Sequence, residues 1–256
     1  MASEFTDIAG GSIEYVRIPA SAGGVPPLVF LHEGLGSVAM WRDFPAHVAA
    51  ATGAETIVYS RHGYGRSARL SGKRRIGYMH DEARVVLPAL LATLGLERPV
   101  LIGHSDGASI ALIYGGSNLP ATGLVLMAPH VFVEDVTVKS IAAAGEAYRT
   151  TDLKKRLGRY HDDPDGAFWG WNDIWLDPAF RSWNIEALVP AIRAPLLLIQ
   201  GADDEYGTAA QVESIRTAAR AACELALLAA CGHSPQRDQP DRTLQLIADF
   251  IARIKT

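Results

Sequence analysis

The sequence is poor in the features that mark secreted scaffolds, membrane proteins and nucleic-acid binders. Its 256 residues include only two cysteines, Cys223 and Cys231, which are too few for a disulfide framework. No apolar run approaches the length of a membrane span, and the formal net charge of −4 indicates no basic surface for nucleic acid or an anionic membrane. The first residues lack the basic and apolar regions of a secretory signal. We therefore expect a cytoplasmic protein with reduced cysteines and no nucleic-acid or membrane partner, while a homodimer remains an open alternative.

The sequence also lacks a metal-binding motif and the glycine-rich fingerprint of dinucleotide-binding proteins, so we expect neither a metal nor a cofactor. What it has is apolar residues, which make up 48% of the chain. A chain of this length and composition can bury a large core in one domain that carries an insertion.

Short, wholly apolar runs alternate with amphipathic segments along the chain. After an antiparallel lead-in strand, such runs occur at residues 28–31, 100–102, 124–127 and 196–199, and a further strand is predicted at 56–59. Runs of this kind are typical of parallel strands that are buried on both faces, which predicts an α/β fold with a mostly parallel central sheet and helices on both faces. Glycine-rich turns follow these strands at residues 32–37, 61–67, 103–107 and 201–207. We expect these turns to meet at one edge of the sheet, where ligands bind in such folds.

The interval from 130 to 194 interrupts this alternation. It is predicted to form several helices and no strand, which favours a helical cap inserted into a core made of residues 1–129 and 195–256. Four of the five tryptophans lie in this interval, and Trp169, Trp171 and Trp175 are candidates for a substrate pocket. Because Trp169 and Trp171 are two positions apart, they cannot share a helix face, so at least one is expected to face the ligand crevice.

One pentapeptide, Gly103-His104-Ser105-Asp106-Gly107, lies between an apolar strand and a segment of small residues that reads as a helix. A serine at the apex of so sharp a turn adopts a strained backbone, which is tolerated only when its neighbours carry almost no side chain. In this context Ser105 is predicted to be a nucleophile on a strand-to-helix elbow. The alternative is a glycine-rich turn whose serine only caps the helix.

A serine hydroxyl needs a base, and the base needs an acid to orient it. Of the three histidines after Ser105, only His233 follows the last strand in a loop with a neighbouring glycine, so we expect it to be the base. The acid is expected just after the strand at 196–199, where three acidic residues are adjacent. Spacing does not separate them; Asp204 is favoured and Asp203 is the alternative.

Acyl transfer also needs hydrogen-bond donors for the oxyanion that develops in the transition state. One donor is expected to be the backbone amide of Asp106, directly after the nucleophile. The other is expected from the loop 32–37, where Gly34 allows the closest approach of a backbone to substrate.

Five stretches carry a family resemblance: HEGLGS, SRHGYGRS, GHSDG, QGADDEYGT and CGHSP. Through them the chain resembles the α/β-hydrolase family over nearly its whole length. The resemblance implies Ser105 as nucleophile, His233 as base and Asp204 as acid, with Gly34 as an oxyanion donor. The sequence departs from the family pattern at Glu33, where glycine is usual, and Asp106 is an unusual neighbour for the nucleophile.

These two acidic residues lie near the site of an anionic transition state. Glu33 is expected to pair with Arg61, with a role in substrate binding as the alternative. Asp106 is expected to be a solvated charge at the start of a helix, where it favours the helix dipole. Selectivity against anionic substrates is the alternative for Asp106.

A serine at the elbow argues against haloalkane dehalogenases and epoxide hydrolases of this fold, which carry aspartate there. The sequence therefore predicts a serine esterase that cleaves a small apolar or aromatic ester, thioester or lactone through an acyl-enzyme. A cofactor-free C–C hydrolase or lyase with the same triad is the first alternative. A non-catalytic receptor for a small ligand is the second.

Overall fold

The computed structural model describes residues 2–254, and one eight-stranded sheet organises them. Its strands are Glu4–Ile8 (β1), Gly11–Ile18 (β2), Leu28–Leu31 (β3), Thr56–Tyr59 (β4), Val100–His104 (β5), Gly123–Met127 (β6), Leu196–Gly201 (β7) and Cys223–Leu228 (β8). Their order in the sheet is β1-β2-β4-β3-β5-β6-β7-β8. The pairs β1–β2 and β2–β4 are antiparallel, and all other pairs are parallel.

The central strands separate two apolar layers, because successive residues of a strand point to opposite faces. In β3, Leu28 and Phe30 belong to one layer, and Val29 and Leu31 belong to the other. All four side chains are fully buried. A strand that is apolar at every position is therefore what a sheet covered on both faces requires.

Ten α-helices accompany the sheet within residues 2–254: Phe44–Thr52 (α1), Tyr78–Asp81 (α2), Leu87–Leu94 (α3), Asp106–Gly116 (α4), Asp135–Thr150 (α5), Leu153–Leu157 (α6), Pro164–Leu176 (α7), Ala210–Ala218 (α8), Pro235–Asp238 (α9) and Pro240–Ile254 (α10). Helices α1 and α10 cover one face of the sheet, and α3, α4 and α8 cover the other. Between β6 and β7 lie α5, α6 and α7, followed by two short 3₁₀ helices, Pro178–Ser182 and Glu186–Ala191. No helix among the described residues is long and apolar enough to cross a membrane.

The predicted fold class is confirmed, and the differences are local. Strand β1 was not predicted, because it is a largely exposed edge strand without an apolar pattern. After β3, a 3₁₀ turn covers Val38–Trp41 and α1 begins at Phe44, because Arg42 has a φ of +54°, which ends the 3₁₀ turn. The short helix α6 ends at Leu157. Met1, Lys255 and Thr256, which the predicted core includes, lie outside the described residues.

Candidate active site

Ser105 lies on the tight turn between β5 and α4. Its backbone has φ +53° and ψ −118°, a conformation that residues with a side chain rarely adopt. A Cβ atom added at Gly107 would lie 2.1 Å from the carbonyl oxygen of Leu31, and one added at Gly103 would lie 2.4 Å from the carbonyl oxygen of Gly107. Both glycines are therefore needed for this sharp turn from β5 into α4, which packs against the end of β3.

Three side chains from distant parts of the sequence meet at the carboxyl edge of the sheet. The Ser105 hydroxyl donates a hydrogen bond to His233 Nε2 over 2.9 Å. His233 Nδ1 lies 2.9 Å from each carboxylate oxygen of Asp204. Asp203 is exposed, and its backbone amide donates to the carbonyl of Cys231 instead. The structure thus brings Asp204, and not Asp203, to the imidazole.

The Asp204 carboxylate is held by further donors. Its Oδ1 accepts from the amides of Tyr206 (2.8 Å) and Gly207 (3.1 Å), and its Oδ2 accepts from Gln200 Nε2 (2.7 Å). Burial by itself raises the pKa of Asp204, but the hydrogen bond and charge of His233 and the Tyr206 amide lower it below its usual value. Asp204 therefore stays ionised and keeps the His233 proton on Nδ1, which leaves Nε2 free to accept a proton from Ser105.

The two predicted oxyanion donors border the same space as Ser105. Gly34 and Asp106 both line the cavity in front of the hydroxyl. Neither backbone amide donates to another atom of residues 2–254. A Cβ atom at Gly34 would lie 2.2 Å from Trp171 Nε1, so the loop after β3 can approach α7 only with glycine at this position.

The Asp106 side chain is buried, so its interpretation as a solvated charge is wrong. Only 1% of the residue is exposed. Its Oδ2 accepts from the Tyr78 hydroxyl over 2.6 Å, and its Oδ1 accepts from Trp175 Nε1 over 3.2 Å. Arg61 Nη1 lies 3.8 Å from Oδ2. The Asp106 carboxylate is thus stabilised by two aromatic hydrogen-bond donors and a buried guanidinium, and not by solvent as the sequence predicted.

Glu33 does not pair with Arg61 through its side chain, and that prediction is wrong. Arg61 Nη2 instead donates to the backbone carbonyl of Glu33 over 2.8 Å. The Glu33 carboxylate lies 3.4 Å from His104 Nδ1 and 4.0 Å from Arg237 Nη2. Burial by itself raises the pKa of Glu33, but the hydrogen bond and charge of His104 hold it well below its usual range. Glu33 therefore contributes a negative charge to the cavity wall.

A cavity of about 240 Å³ lies in front of Ser105. One part of its wall is apolar and consists of Leu35, Met40, Ile141, Leu153, Leu157, Trp171 and Trp175. The polar part is formed mainly by Glu33, His104, His130, Thr137 and Arg237. Two of the three candidate tryptophans, Trp171 and Trp175, thus lie at the cavity. They are four positions apart on α7 and share a helix face.

Trp169 does not line this cavity. Its indole packs against Tyr148 and Phe168, and the guanidinium of Arg149 lies 4.7 Å from its ring centre. Trp169 borders a separate, larger groove of about 690 Å³ on the outer side of α7, which contains none of the three residues of the hydrogen-bonded triad. The placement of Trp169 in the pocket is wrong because two residues along a helix point to nearly opposite sides.

His130, one of the three histidines after Ser105, lines the cavity, although its position in the sequence did not predict a role for it. It is 2% exposed, and its ring centre lies 5.7 Å from that of His233. Burial and, to a lesser extent, the charge of His233 lower the pKa of His130 to about 3, so its imidazole is neutral near pH 7. Its place at the site could have been predicted, because His130 follows the end of β6, the strand beside β5.

Within residues 2–254, no group of three or more His, Cys, Asp or Glu side chains is placed to hold a metal ion. The absence of a cofactor stays a prediction.

Comparison with known proteins identifies the family. The family model described as the alpha/beta hydrolase family matches residues 28–246. The chain therefore belongs to the α/β-hydrolase family.

Individual relatives differ in the names they carry. The chain is 26% identical to a 2-hydroxy-6-oxononadienedioate/2-hydroxy-6-oxononatrienedioate hydrolase of Paraburkholderia phymatum, over 98% of this chain and 96% of that protein. It is 32% identical to a proline iminopeptidase of Lactobacillus delbrueckii subsp. lactis over 100 residues, which are 39% of this chain and 34% of the relative. The chain thus spans about a third of the length of that peptidase. The enol-lactonase of Burkholderia xenovorans LB400 has the same fold, with a TM-score of 0.75, 19% identity, and coverage of 97% of this chain and 100% of that structure.

Proposed function

We propose that the protein is a serine hydrolase that cleaves small, uncharged carboxylic esters through an acyl-enzyme on Ser105. The observation that carries the proposal is the unbroken series of 2.9 Å contacts from the Asp204 carboxylate through His233 to the Ser105 hydroxyl, at the wall of a cavity. Thioesters and lactones undergo the same acyl transfer and fall in the same class of substrate.

In the first half of the reaction, Ser105 Oγ attacks the carbonyl carbon of the ester while His233 Nε2 takes the hydroxyl proton. The Asp204 carboxylate stabilises the imidazolium that forms. The carbonyl oxygen becomes an oxyanion, and the amides of Gly34 and Asp106 are the donors available to it. The intermediate collapses when His233 gives its proton to the leaving alcohol, which leaves Ser105 acylated.

In the second half, water takes the place of the alcohol. His233 removes a proton from the water as it attacks the acyl carbon, and a second oxyanion forms between the same two amides. Collapse returns the proton from His233 to Ser105 Oγ and releases the carboxylic acid. Each half thus uses His233 first as a base and then as an acid.

We also propose that residues 130–194 act as a cap over the site, as the sequence predicted. Five apolar residues of this segment line the cavity: Ile141, Leu153, Leu157, Trp171 and Trp175. An apolar wall of this kind favours a hydrocarbon or aromatic acyl group and excludes water from the attacking serine.

The charges of the wall favour an uncharged substrate. The substrate named for the Paraburkholderia phymatum relative is a dicarboxylate that contains no ester, so its hydrolysis breaks a C–C bond. In this chain, a second carboxylate would meet Glu33 at the cavity wall. Arg237, a cation of that wall, lies 4.0 Å from Glu33 already. A C–C hydrolase acting on an uncharged diketone is therefore the second candidate, supported by similarity along the whole chain.

One panel of assays separates these functions. Purified protein is tested with p-nitrophenyl esters of increasing acyl length, with a monoester of a dicarboxylic acid and with an uncharged β-diketone. We expect the highest kcat/KM for a short, uncharged ester and loss of turnover in Ser105→Ala. Diketone cleavage without ester turnover would establish the second candidate, and full esterase activity in Ser105→Ala would refute both.

Covalent labelling tests whether the site is catalytic or only binds a ligand. A fluorophosphonate probe is expected to modify Ser105, and His233→Ala is expected to abolish the modification because the hydroxyl then lacks its base. A folded protein that never reacts with the probe would point to the receptor alternative.

A further inference from the structure

Arg61 is the most deeply buried charged side chain near the active site, and the mechanism does not use it. It follows β4 and has an exposed fraction of 0%. Burial opposes its charged form, but the neighbouring Tyr64, Asp106 and Glu82 raise the pKa of the guanidinium above its usual value, so it stays charged. Burying a guanidinium is unfavourable unless its contacts compensate for the lost hydration, which makes the contacts of Arg61 informative.

The first contact of Arg61 fixes one peptide of the loop after β3. Arg61 Nη2 donates to the Glu33 carbonyl over 2.8 Å, and His32 Nδ1 lies 2.6 Å from the same oxygen. The Arg61 backbone amide donates to His32 Nε2 over 3.0 Å, so the imidazole proton lies on Nδ1 and is also donated to this carbonyl. The Gly36 backbone amide also donates to it over 3.1 Å, so three donors hold the Glu33 oxygen, two of them from the side chains of Arg61 and His32.

That oxygen belongs to the same peptide plane as the Gly34 amide. In a trans peptide the C=O and the N–H point in opposite directions, and rotation of one carries the other with it. Holding the Glu33 carbonyl on the side of Arg61 therefore directs the Gly34 N–H to the other side of the loop. Gly34 borders the cavity, and its amide has no partner within residues 2–254.

The second contact of Arg61 is with the other donor residue. Its Nη1 lies 3.8 Å from Asp106 Oδ2, a carboxylate that Tyr78 and Trp175 also hold. One guanidinium thus binds the Glu33–Gly34 peptide through the Glu33 carbonyl and forms a longer ion pair with the Asp106 side chain. The two predicted oxyanion donors, Gly34 and Asp106, follow different strands, β3 and β5.

The geometry points to Arg61 as a positioning residue of the oxyanion hole, which holds the Glu33–Gly34 peptide and the Asp106 carboxylate in a fixed relation. The inference rests on the proposed acyl-transfer function. Arg61 itself does not touch the substrate: its Nη2 is engaged by backbone oxygens, and it is not among the cavity-lining residues. Its expected influence is on the transition state more than on substrate binding.

The test compares Arg61→Lys and Arg61→Met with the wild type, using the best ester of the panel. A misdirected oxyanion donor is expected to lower kcat by about 10- to 100-fold. KM is expected to change less than about threefold, because the ground-state ester makes weaker use of these amides. The inhibition constant of an alkyl boronic acid, which forms a tetrahedral adduct on Ser105, is expected to rise in parallel with the loss of kcat/KM. A purely structural loss would lower the amount of active enzyme without this parallel.

Arg74→Lys is the matched control. Arg74 lies on the same side of the fold, and its Nη2 also donates to a backbone carbonyl, that of His62, over 3.1 Å. It contacts neither oxyanion residue. Its kcat is expected to stay within about twofold of the wild type, and thermal unfolding of all variants reports the stability cost.

A second design covers the case in which Arg61→Met fails to fold because Asp106 is left unpaired in the interior. The double variant Arg61→Met/Asp106→Asn removes both buried charges together, which proteins often tolerate. It is compared with Asp106→Asn alone. A folded Arg61 variant, single or double, whose kcat lies within threefold of its reference overturns the inference. Absence of ester turnover and of fluorophosphonate labelling in the wild type would instead overturn the proposed function.

Discussion

Replacing Asp204 by asparagine tests how the acid acts on the imidazole, and Asp203→Asn is its natural control. The two positions are adjacent in sequence, and each substitution removes one negative charge. Asp204 contacts His233 Nδ1 with both oxygens, whereas the side chain of Asp203 is exposed. Any effect that separates the two variants therefore reports on the contact with His233 and not on net charge.

The size of the effect follows from the donors around Asp204. Oδ1 of Asp204 accepts hydrogen bonds from the backbone amides of Tyr206 and Gly207. In Asp204→Asn, the amide oxygen is therefore expected to stay at this position, and the NH₂ group takes the place of Oδ2. The amide then faces His233 Nδ1 as a donor and favours the tautomer with the proton on Nε2. In that tautomer the nitrogen facing Ser105 cannot accept its proton. We expect kcat to fall about 10⁴-fold, which corresponds to about 5 kcal/mol in the activation barrier.

The assay is steady-state ester hydrolysis at pH 7 to 8, with thermal unfolding measured on the same samples. Asp204→Asn is expected to cost about 1–3 kcal/mol in the free energy of unfolding, because either Gln200 or His233 loses an acceptor. Asp203→Asn is expected to keep kcat within about twofold of the wild type. Equal losses in both variants, or a folded Asp204→Asn with wild-type kcat, would refute the role given to Asp204.

Three further predictions concern packing, specificity and pH. Gly107→Ala is expected to lower the free energy of unfolding by about 3 kcal/mol or to prevent folding, because its Cβ would lie 2.1 Å from the Leu31 carbonyl; urea denaturation measures this. Trp171→Phe is expected to lower kcat/KM for the preferred ester about 10-fold, whereas Trp169→Phe, outside the cavity, leaves the ester profile unchanged. The pKa of His130 falls from 6.5 to about 3 on folding, so the unfolded chain binds one more proton between these pH values and stability is lost as the pH falls through them. His130→Gln is expected to reduce the difference in unfolding free energy between pH 7 and 4.5 by about 2 kcal/mol, and an unchanged difference would contradict the buried neutral imidazole.

The sheet and the meeting of the triad residues could be predicted because they follow from a strong physical rule. A strand buried on both faces is mostly apolar, so β3 is visible as the apolar run 28–31 and most of β7 as the apolar run 196–199. The end of each parallel strand then lies at one edge, which is enough to bring Ser105 and Asp204 together and to place His233 near them. A strand such as β1, whose residues are mostly exposed, gives no such pattern.

The contacts of single side chains could not be predicted in the same way. Arg61 binds a backbone carbonyl of Glu33, and every residue carries a carbonyl, so no sequence pattern identifies that partner. The burial of Asp106 depends on Tyr78 and Trp175, which lie 28 and 69 positions away in the chain. The side of α7 that Trp169 occupies depends on the rotation of the helix, which an apolar helix with aromatics on several sides leaves open.

The two acidic residues that seemed unfavourable near an oxyanion are compensated in different ways. The Asp106 carboxylate accepts hydrogen bonds from Tyr78 and Trp175 and faces the buried Arg61, so its charge is compensated inside the protein. Glu33 is paired less closely, at 3.4 Å from His104 and 4.0 Å from Arg237, and it borders the cavity itself. Because a charge acts over longer distances in a site that excludes water, we expect Glu33 to have the stronger effect of the two on a charged substrate. We therefore expect Glu33 to disfavour an anionic acyl group, because a fixed negative charge on the substrate would lie near this carboxylate without the two amides that stabilise the oxyanion.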